Sequence, residues 1–303
     1  MASMTSSPLT LHHGPFALAL VPEVGGSVAR FALGRDGRTI ELFRSMPAPA
    51  IAEGNPLFAG CFPLIPLSNR IENGRYSFAG RRFQMAPNLP PHPHPLHGHA
   101  WRGRWAIRDL SAASATLGFE YEGSDWPSRY TATQRFTLGA EGLTVELELT
   151  NSGNASMPAG IGLHPFFPRS SRTLLCAELG DVWLCREDKI PERRVALPQA
   201  WDFRGGRALD GLDLDHCFED WNGRASITWP EARLELALGA DPVFSHAVIY
   251  APRDKPFFCF EPVSHANLAL NLAEQGVDGI GFKSLDPGET LRGTLRFAVR
   301  DLA

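Results

Sequence analysis

Residues 143–150 read LTVELELT, and their alternation decides the fold. Leu143, Val145, Leu147 and Leu149 take one side of an extended chain, and Thr144, Glu146, Glu148 and Thr150 take the other. That period of two predicts a half-buried strand, since a helix repeats about every 3.6 residues. Asn151-Ser-Gly-Asn follows as a turn, and Tyr130–Leu138 precedes it as another strand. Outward from this pair the same signal recurs. Strands are expected at Phe16–Val21, Ser27–Leu33, Thr39–Phe43, Trp105–Leu110 and Ser114–Glu122. Ser226–Trp229, Arg233–Leu238, Ala247–Tyr250, Phe257–Phe260 and Leu291–Val299 continue the series. Asn73-Gly74 and Ala79-Gly80 mark tight turns, the second joining Arg75–Phe78 to Arg81–Gln84. Helical signals are scarce. Asn267–Gln275 has a capping Asn, but Leu268, Leu270 and Leu272 are spaced poorly for a helix, and 25 prolines oppose long ones. The expected class is all-β, a large antiparallel β-sandwich with few short helices, built as a single domain over 1–303.

The chain has 303 residues, 44% of them hydrophobic, enough for a sizeable core. A net charge of −4 without basic runs speaks against nucleic acid as a partner. No stretch has the apolar length of a membrane helix, so no membrane partner is expected. The start, MASMTSSPLT, lacks the basic and apolar segments of a secretory signal, and residues 1–8 are expected to be disordered. Five cysteines, Cys61, Cys176, Cys185, Cys217 and Cys259, show no paired metal-ligand spacing. They read as reduced thiols of a cytoplasmic protein.

One segment asks for chemistry. In PHPHPLHGHA, residues 91–100, four histidines fall within eight residues. His97-Gly98-His99 has the form of a two-histidine chelate. The residues after it, AWRGRWAIRD, supply arginines rather than a third carboxylate ligand, and those cations oppose a metal. A metal-dependent, cupin-like enzyme is therefore disfavoured. His92, His94 and His99 read as scaffolding or surface of a proline-stiffened loop.

His97 differs because of its surroundings. Asn69-Arg70-Ile71 follows Gly60-Cys-Phe-Pro-Leu-Ile-Pro-Leu-Ser, and Leu96-His97-Gly98 and Trp105 come next. Downstream stand Gly162-Leu-His164-Pro-Phe-Phe167, Asp215-His-Cys-Phe218 and Phe260-Glu261-Pro262. Each alone is weak. Taken singly, His164 reads as a core histidine, Arg70 as a surface cation and Asp215 as one of several acids in a solvated loop. The ordered set resembles the aldose 1-epimerase (galactose mutarotase) family. It spans about two-thirds of the chain, and the compact HGHAWRGRW is similar to a shorter branch that includes forms acting on sugar phosphates.

The resemblance implies a β-sandwich with its site on the concave face of one sheet, and a reaction that exchanges the anomers of a sugar without cofactor or metal. It implies Glu261 as the base at the anomeric hydroxyl and His164 as the acid at the ring oxygen. Arg70, His97 and Asp215 would bind the sugar. Reference values favour a charged Glu and a His able to donate, the more so beside a carboxylate. Phe166, Phe167 and Trp101 are candidates for an apolar wall. Two alternatives stand beside a hexose mutarotase. A hexose 6-phosphate enzyme would need a cationic pocket, for which Arg75, Arg81, Arg82, Arg102 and Arg104 are available. A non-catalytic sugar-binding module would share the fold. The expected partner is a small sugar, and the sequence leaves monomer against homodimer open.

Overall fold

A computed structural model describes residues 7–302. The disorder expected for residues 1–8 falls on residues 1–6, which lie outside that range, and on residues 7–8, which lead without regular structure into the first strand, Leu9–His13.

The alternating stretch forms the strand Gly142–Asn151, paired antiparallel with Tyr130–Leu138 in a register that sets Val145 against Phe136. It lies within a nine-stranded antiparallel sheet. The order is Arg207–Ala208, Leu174–Ala177, Arg224–Trp229, Leu234–Ala240, Thr290–Asp301, Gly142–Asn151, Tyr130–Leu138, Ser114–Tyr121, Ala106–Leu110. Along each long strand one row is buried and the other faces outward, which is the half-buried pattern the alternation demands.

A second large sheet runs Pro191–Val195, Val182–Cys185, Leu214–Phe218, His246–Ala251, Phe257–Val263, Gly162–Leu163, Pro63–Leu64, with Phe166–Pro168 also paired to Phe257–Val263. Its central strands are buried on both faces. Phe218, Ile249, Phe258 and Phe260 join Leu117, Val145, Leu236 and Phe297 of the first sheet in the main core, so the two sheets share one apolar interior. The opposite face carries Cys217, Val248, Cys259 and Val263 into a second buried cluster, under the loops that contain Phe62 and Trp101. A four-stranded sheet, Leu9–His13 to Arg38–Glu41, closes one side through edge contacts of Phe43 with Phe31, Phe167 and Phe297.

Two expectations change. Phe257–Phe260 continues to Val263, because Val248 and His246 keep pairing with Glu261 and Val263. Glu261 thus sits inside a strand rather than at its end. The helix near residue 267 spans Ala269–Glu274, and Leu268, in a left-handed conformation, takes the cap position assigned to Asn267. The hairpin Arg75–Phe78 to Arg81–Gln84 forms as expected, with Ala79 and Gly80 both at positive φ. No helix among the described residues is long and apolar enough to cross a membrane.

Candidate functional site

Five side chains singled out from the sequence meet in one cavity of about 480 Å³ on the outer face of the eight-stranded sheet: Arg70, His97, His164, Asp215 and Glu261. The sheet's period of two explains two of them. Glu261 shares its face with Cys259 and Val263, away from the main core, and pairs with Val248 on the next strand. Asp215 lies opposite Tyr250, so it emerges on the same face one strand further on.

His164 follows Gly162–Leu163, and its backbone amide donates to the Phe62 carbonyl at 2.9 Å. Its ring stacks on Phe166, with centroids 4.5 Å apart, and leans on Phe62. These contacts set Nε2 3.2 Å from Glu261 Oε1. Both residues are buried, Glu261 to 2% exposure and His164 to 8%. The other carboxylate oxygen and His164 Nδ1 are buried and unpartnered.

The electrostatics run against the reference values. Burial pushes the Glu261 carboxyl well above its ordinary range; Asp215 adds to this and Arg70 opposes it. Burial pulls His164 down, reinforced by the Arg44 charge. The expectation of an ionised Glu raising its His is therefore corrected. A separation of 3.2 Å suits an ion pair and a neutral pair alike, and desolvation favours the neutral one, with the shared proton on Glu261.

His97 occupies an unusual backbone conformation, φ +58°, followed by Gly98 at +67°. Its amide donates to the Asn69 carbonyl, and its Nδ1 accepts the Asn69 amide hydrogen at 3.0 Å. Burial, with His164 and Arg70 nearby, keeps the ring neutral. Nδ1 being an acceptor, the proton resides on Nε2. Arg70 pairs through its backbone with Leu96 and donates from Nη1 to Asn69 Oδ1. One loop contact thus fixes both side chains. Asp215 is partly open and lies 3.3 Å from Lys189 Nζ.

The other histidines divide. His94 is buried and accepts from the Asn73 amide. His99 stacks on Tyr121 and reaches the Tyr130 hydroxyl at 2.9 Å and Asp125 at 3.2 Å. Both are scaffold. His92, assigned to scaffold or surface, lines the cavity.

The apolar wall also differs from expectation. Phe166 lines the cavity, whereas Trp101 and Phe167 are fully buried away from it. Phe62, Tyr250 and Phe257 complete the wall, and no sequence signal marked them. Of the arginines offered for a phosphate, none lines this cavity; Arg75 and Arg82 border a separate groove, and Arg104 pairs with Glu23. The cations present are Arg44, Arg70 and Lys189. Arg44 was missed. Its guanidinium donates to the Ala59 and Leu57 carbonyls, lies 3.8 Å from the Phe166 ring centre, and is depressed to about 10 by burial.

His164, Cys259 and Glu261 bring three ligand-type atoms within 4.8 Å of one another. A metal there would need the thiolate. Burial and the neighbouring Glu261 push the Cys259 thiol well above its ordinary value, and Cys259 does not line the cavity. The trio therefore suits proton chemistry better than a cation.

Residues 8–298 match the sequence model of the family described as Aldose 1-epimerase. Among proteins of Escherichia coli K12, the chain is 35% identical to the uncharacterized protein YphB over 270 residues, covering 85% of this chain and 88% of that one. A crystal structure from the same organism superposes with a TM-score of 0.88 at 31% identity, covering 98% of this chain and 99% of the other. A galactose mutarotase-like protein from Clostridium acetobutylicum shares the fold, with a TM-score of 0.85 at 18% identity over 97% and 95% of the chains. The matched span contains every residue gathered in the cavity, and over that span the chain belongs to the aldose 1-epimerase family.

Proposed function

We propose that this protein is an aldose 1-epimerase that interconverts the α and β anomers of a free hexose, with Glu261 and His164 as its acid-base pair. The observation that carries this reading is the buried Glu261–His164 contact, 3.2 Å long, at a cavity that Arg70, His97 and Asp215 also line. The anomeric hydroxyl and the ring oxygen are bonded to the same carbon. An acid and a base side by side can therefore serve both.

Glu261 as carboxylate takes the anomeric proton while His164 as imidazolium protonates the ring oxygen. The bond from C1 to the ring oxygen breaks, giving the open aldehyde. Rotation about the adjacent carbon–carbon bond presents the other carbonyl face, and the two protons return by the reverse transfers. Closure reverses opening, so each group acts as acid and base in turn. A pair holding one proton in total meets both demands. The neutral resting form has that count, and moving its proton across the contact yields carboxylate and imidazolium. Arg70, which favours the charged carboxylate, supports that transfer.

Arg70 and the Nε2 hydrogen of His97 donate to sugar oxygens, and Asp215 accepts from sugar hydroxyls. Tyr250 and Phe257, half-buried on the cavity wall, offer apolar surface to the ring's C–H groups. Arg44 is committed to carbonyls and the Lys189 ammonium lies beside Asp215, whose carboxylate opposes a phosphate there, so an uncharged sugar is favoured over a phosphate ester. We assign the protein to the cytosol on its five free cysteines, three of them buried, which suit a reducing compartment.

The test is polarimetry on freshly dissolved α-glucose, α-galactose and glucose 6-phosphate, with wild type beside Glu261→Gln. Wild type should hasten anomeric equilibrium, and the variant should fall by about 10² or more. A wild type that binds hexose but leaves every rate at its uncatalysed value would make the protein a sugar-binding module instead.

A further inference from the structure

The hairpin linking Val182–Cys185 to Pro191–Val195 hangs its tip beside the cavity mouth. The tip is tightly tied. Arg186 donates its amide to the Ile190 carbonyl, and Lys189 donates its own to the Arg186 carbonyl. Arg186 forks between Asp188 and Glu72, each at 2.9 Å, and Asp188 also lies 3.6 Å from His94. The strap thus reaches across to the loops that carry Arg70 and His97. Lys189 stands at its end in a left-handed conformation, φ +68°. Its ammonium is 3.3 Å from Asp215, and both side chains line the cavity.

The three cavity cations are not equivalent. Arg44 is spent on backbone carbonyls and aromatic faces, and Arg70 is held by Asn69. Lys189 has a side chain 44% exposed and, among the described residues, one carboxylate partner, so two of its three N–H donors are open to a ligand. Asp215, 21% exposed, likewise keeps acceptor capacity. An ammonium and a carboxylate this close form a donor and an acceptor side by side. Adjacent sugar hydroxyls form the complementary couple: one donates to the carboxylate while its neighbour accepts from the ammonium.

We propose that Lys189 is a further substrate-binding residue, and that the Lys189–Asp215 couple selects pyranoses carrying two free neighbouring hydroxyls remote from the anomeric carbon. This deepens the proposed function and rests on it. Glu261 and His164 hold the reacting edge, and Asp215 emerges on the same face two strands away, across His246–Ala251, where it would meet the part of a ring remote from that edge. The couple therefore acts on binding and leaves the proton transfers alone.

The experiment measures KM and kcat by polarimetry for glucose and its 2-, 3-, 4- and 6-monodeoxy forms, using wild type, Lys189→Met and Lys189→Arg. Wild type must first accelerate glucose mutarotation; failure there overturns the proposed function and this inference together. Given that activity, Lys189→Met should raise the glucose KM about tenfold, the worth of one charge-assisted hydrogen bond, with kcat within about threefold. Lys189→Arg should recover most of the loss. One deoxy sugar that wild type binds about tenfold worse than glucose should lose that penalty in Lys189→Met, because the missing hydroxyl and the missing ammonium were partners. An unchanged KM in Lys189→Met, or the same penalty for every deoxy sugar in both proteins, overturns the inference alone. Lys189→Gln gives the same readings if the Met variant aggregates.

Discussion

At the scale of single residues, the site is built from a conflict between burial and charge. Glu261 sits in a strand whose neighbours are Phe260, Pro262 and Val263, and its burial disfavours the carboxylate. A carboxyl whose folded pKa is raised binds its proton more tightly in the folded chain than in the unfolded one. Its stability contribution is complete below the ordinary value of 4.5 and is lost as pH rises toward the folded value. Glutamine does not titrate. Glu261→Gln should therefore melt near the wild-type temperature at about pH 4 and above it at about pH 8, with the gap widening in between. Calorimetry across that range checks the sign. A variant that melts lower at pH 8 would mean the carboxylate is held ionised by His164 and Arg70. Glu261 and His164 were legible as residues because their types and order were distinctive. Their protonation was not, because reference values describe solvated groups.

At the scale of elements, the two large sheets differ in how openly the sequence declares them. Most strands of the nine-stranded sheet alternate cleanly, since one face meets solvent, and LTVELELT is the clearest case. In the eight-stranded sheet only His246–Ala251 and Phe257–Val263 were anticipated. Gly162–Leu163, Phe166–Pro168, Val182–Cys185 and Leu214–Phe218 are two to five residues long. Strands so short, buried or broken by Pro and His, leave no period to detect.

The loop holding His97 shows the same dependence on contact. Gly98 has φ +67°, and a Cβ there would lie 2.5 Å from Pro66 Cδ and 2.7 Å from the Ile65 carbonyl oxygen. Gly80, φ +76°, has nothing within 4 Å of the corresponding point. Gly98→Ala should cost about 2–4 kcal/mol and raise the sugar KM by displacing His97, whereas Gly80→Ala should cost about 1 kcal/mol and leave KM unchanged. Denaturant melts and polarimetry on the two variants check the contrast; equal costs would remove the steric account.

At the scale of the whole molecule, one apolar interior joins both sheets, with Phe43 tying in the four-stranded sheet through Phe167 and Phe297. Separating the sheets would expose that interior on both sides. The chain is therefore expected to unfold as one unit, giving a single calorimetric transition whose van't Hoff and calorimetric enthalpies agree. Two resolved transitions would divide the chain into independent domains. The class of fold and, through the order of the motifs, five residues of the cavity were legible in the amino-acid sequence, because both are written in local pattern and residue type. The contact of Glu261 with His164, the burial that pushes both toward their neutral forms, and the completion of the cavity by Arg44, Lys189, Phe62 and Tyr250 came from the folded chain alone. Those facts arise from desolvation and from contacts between segments far apart in the chain, which local pattern does not encode.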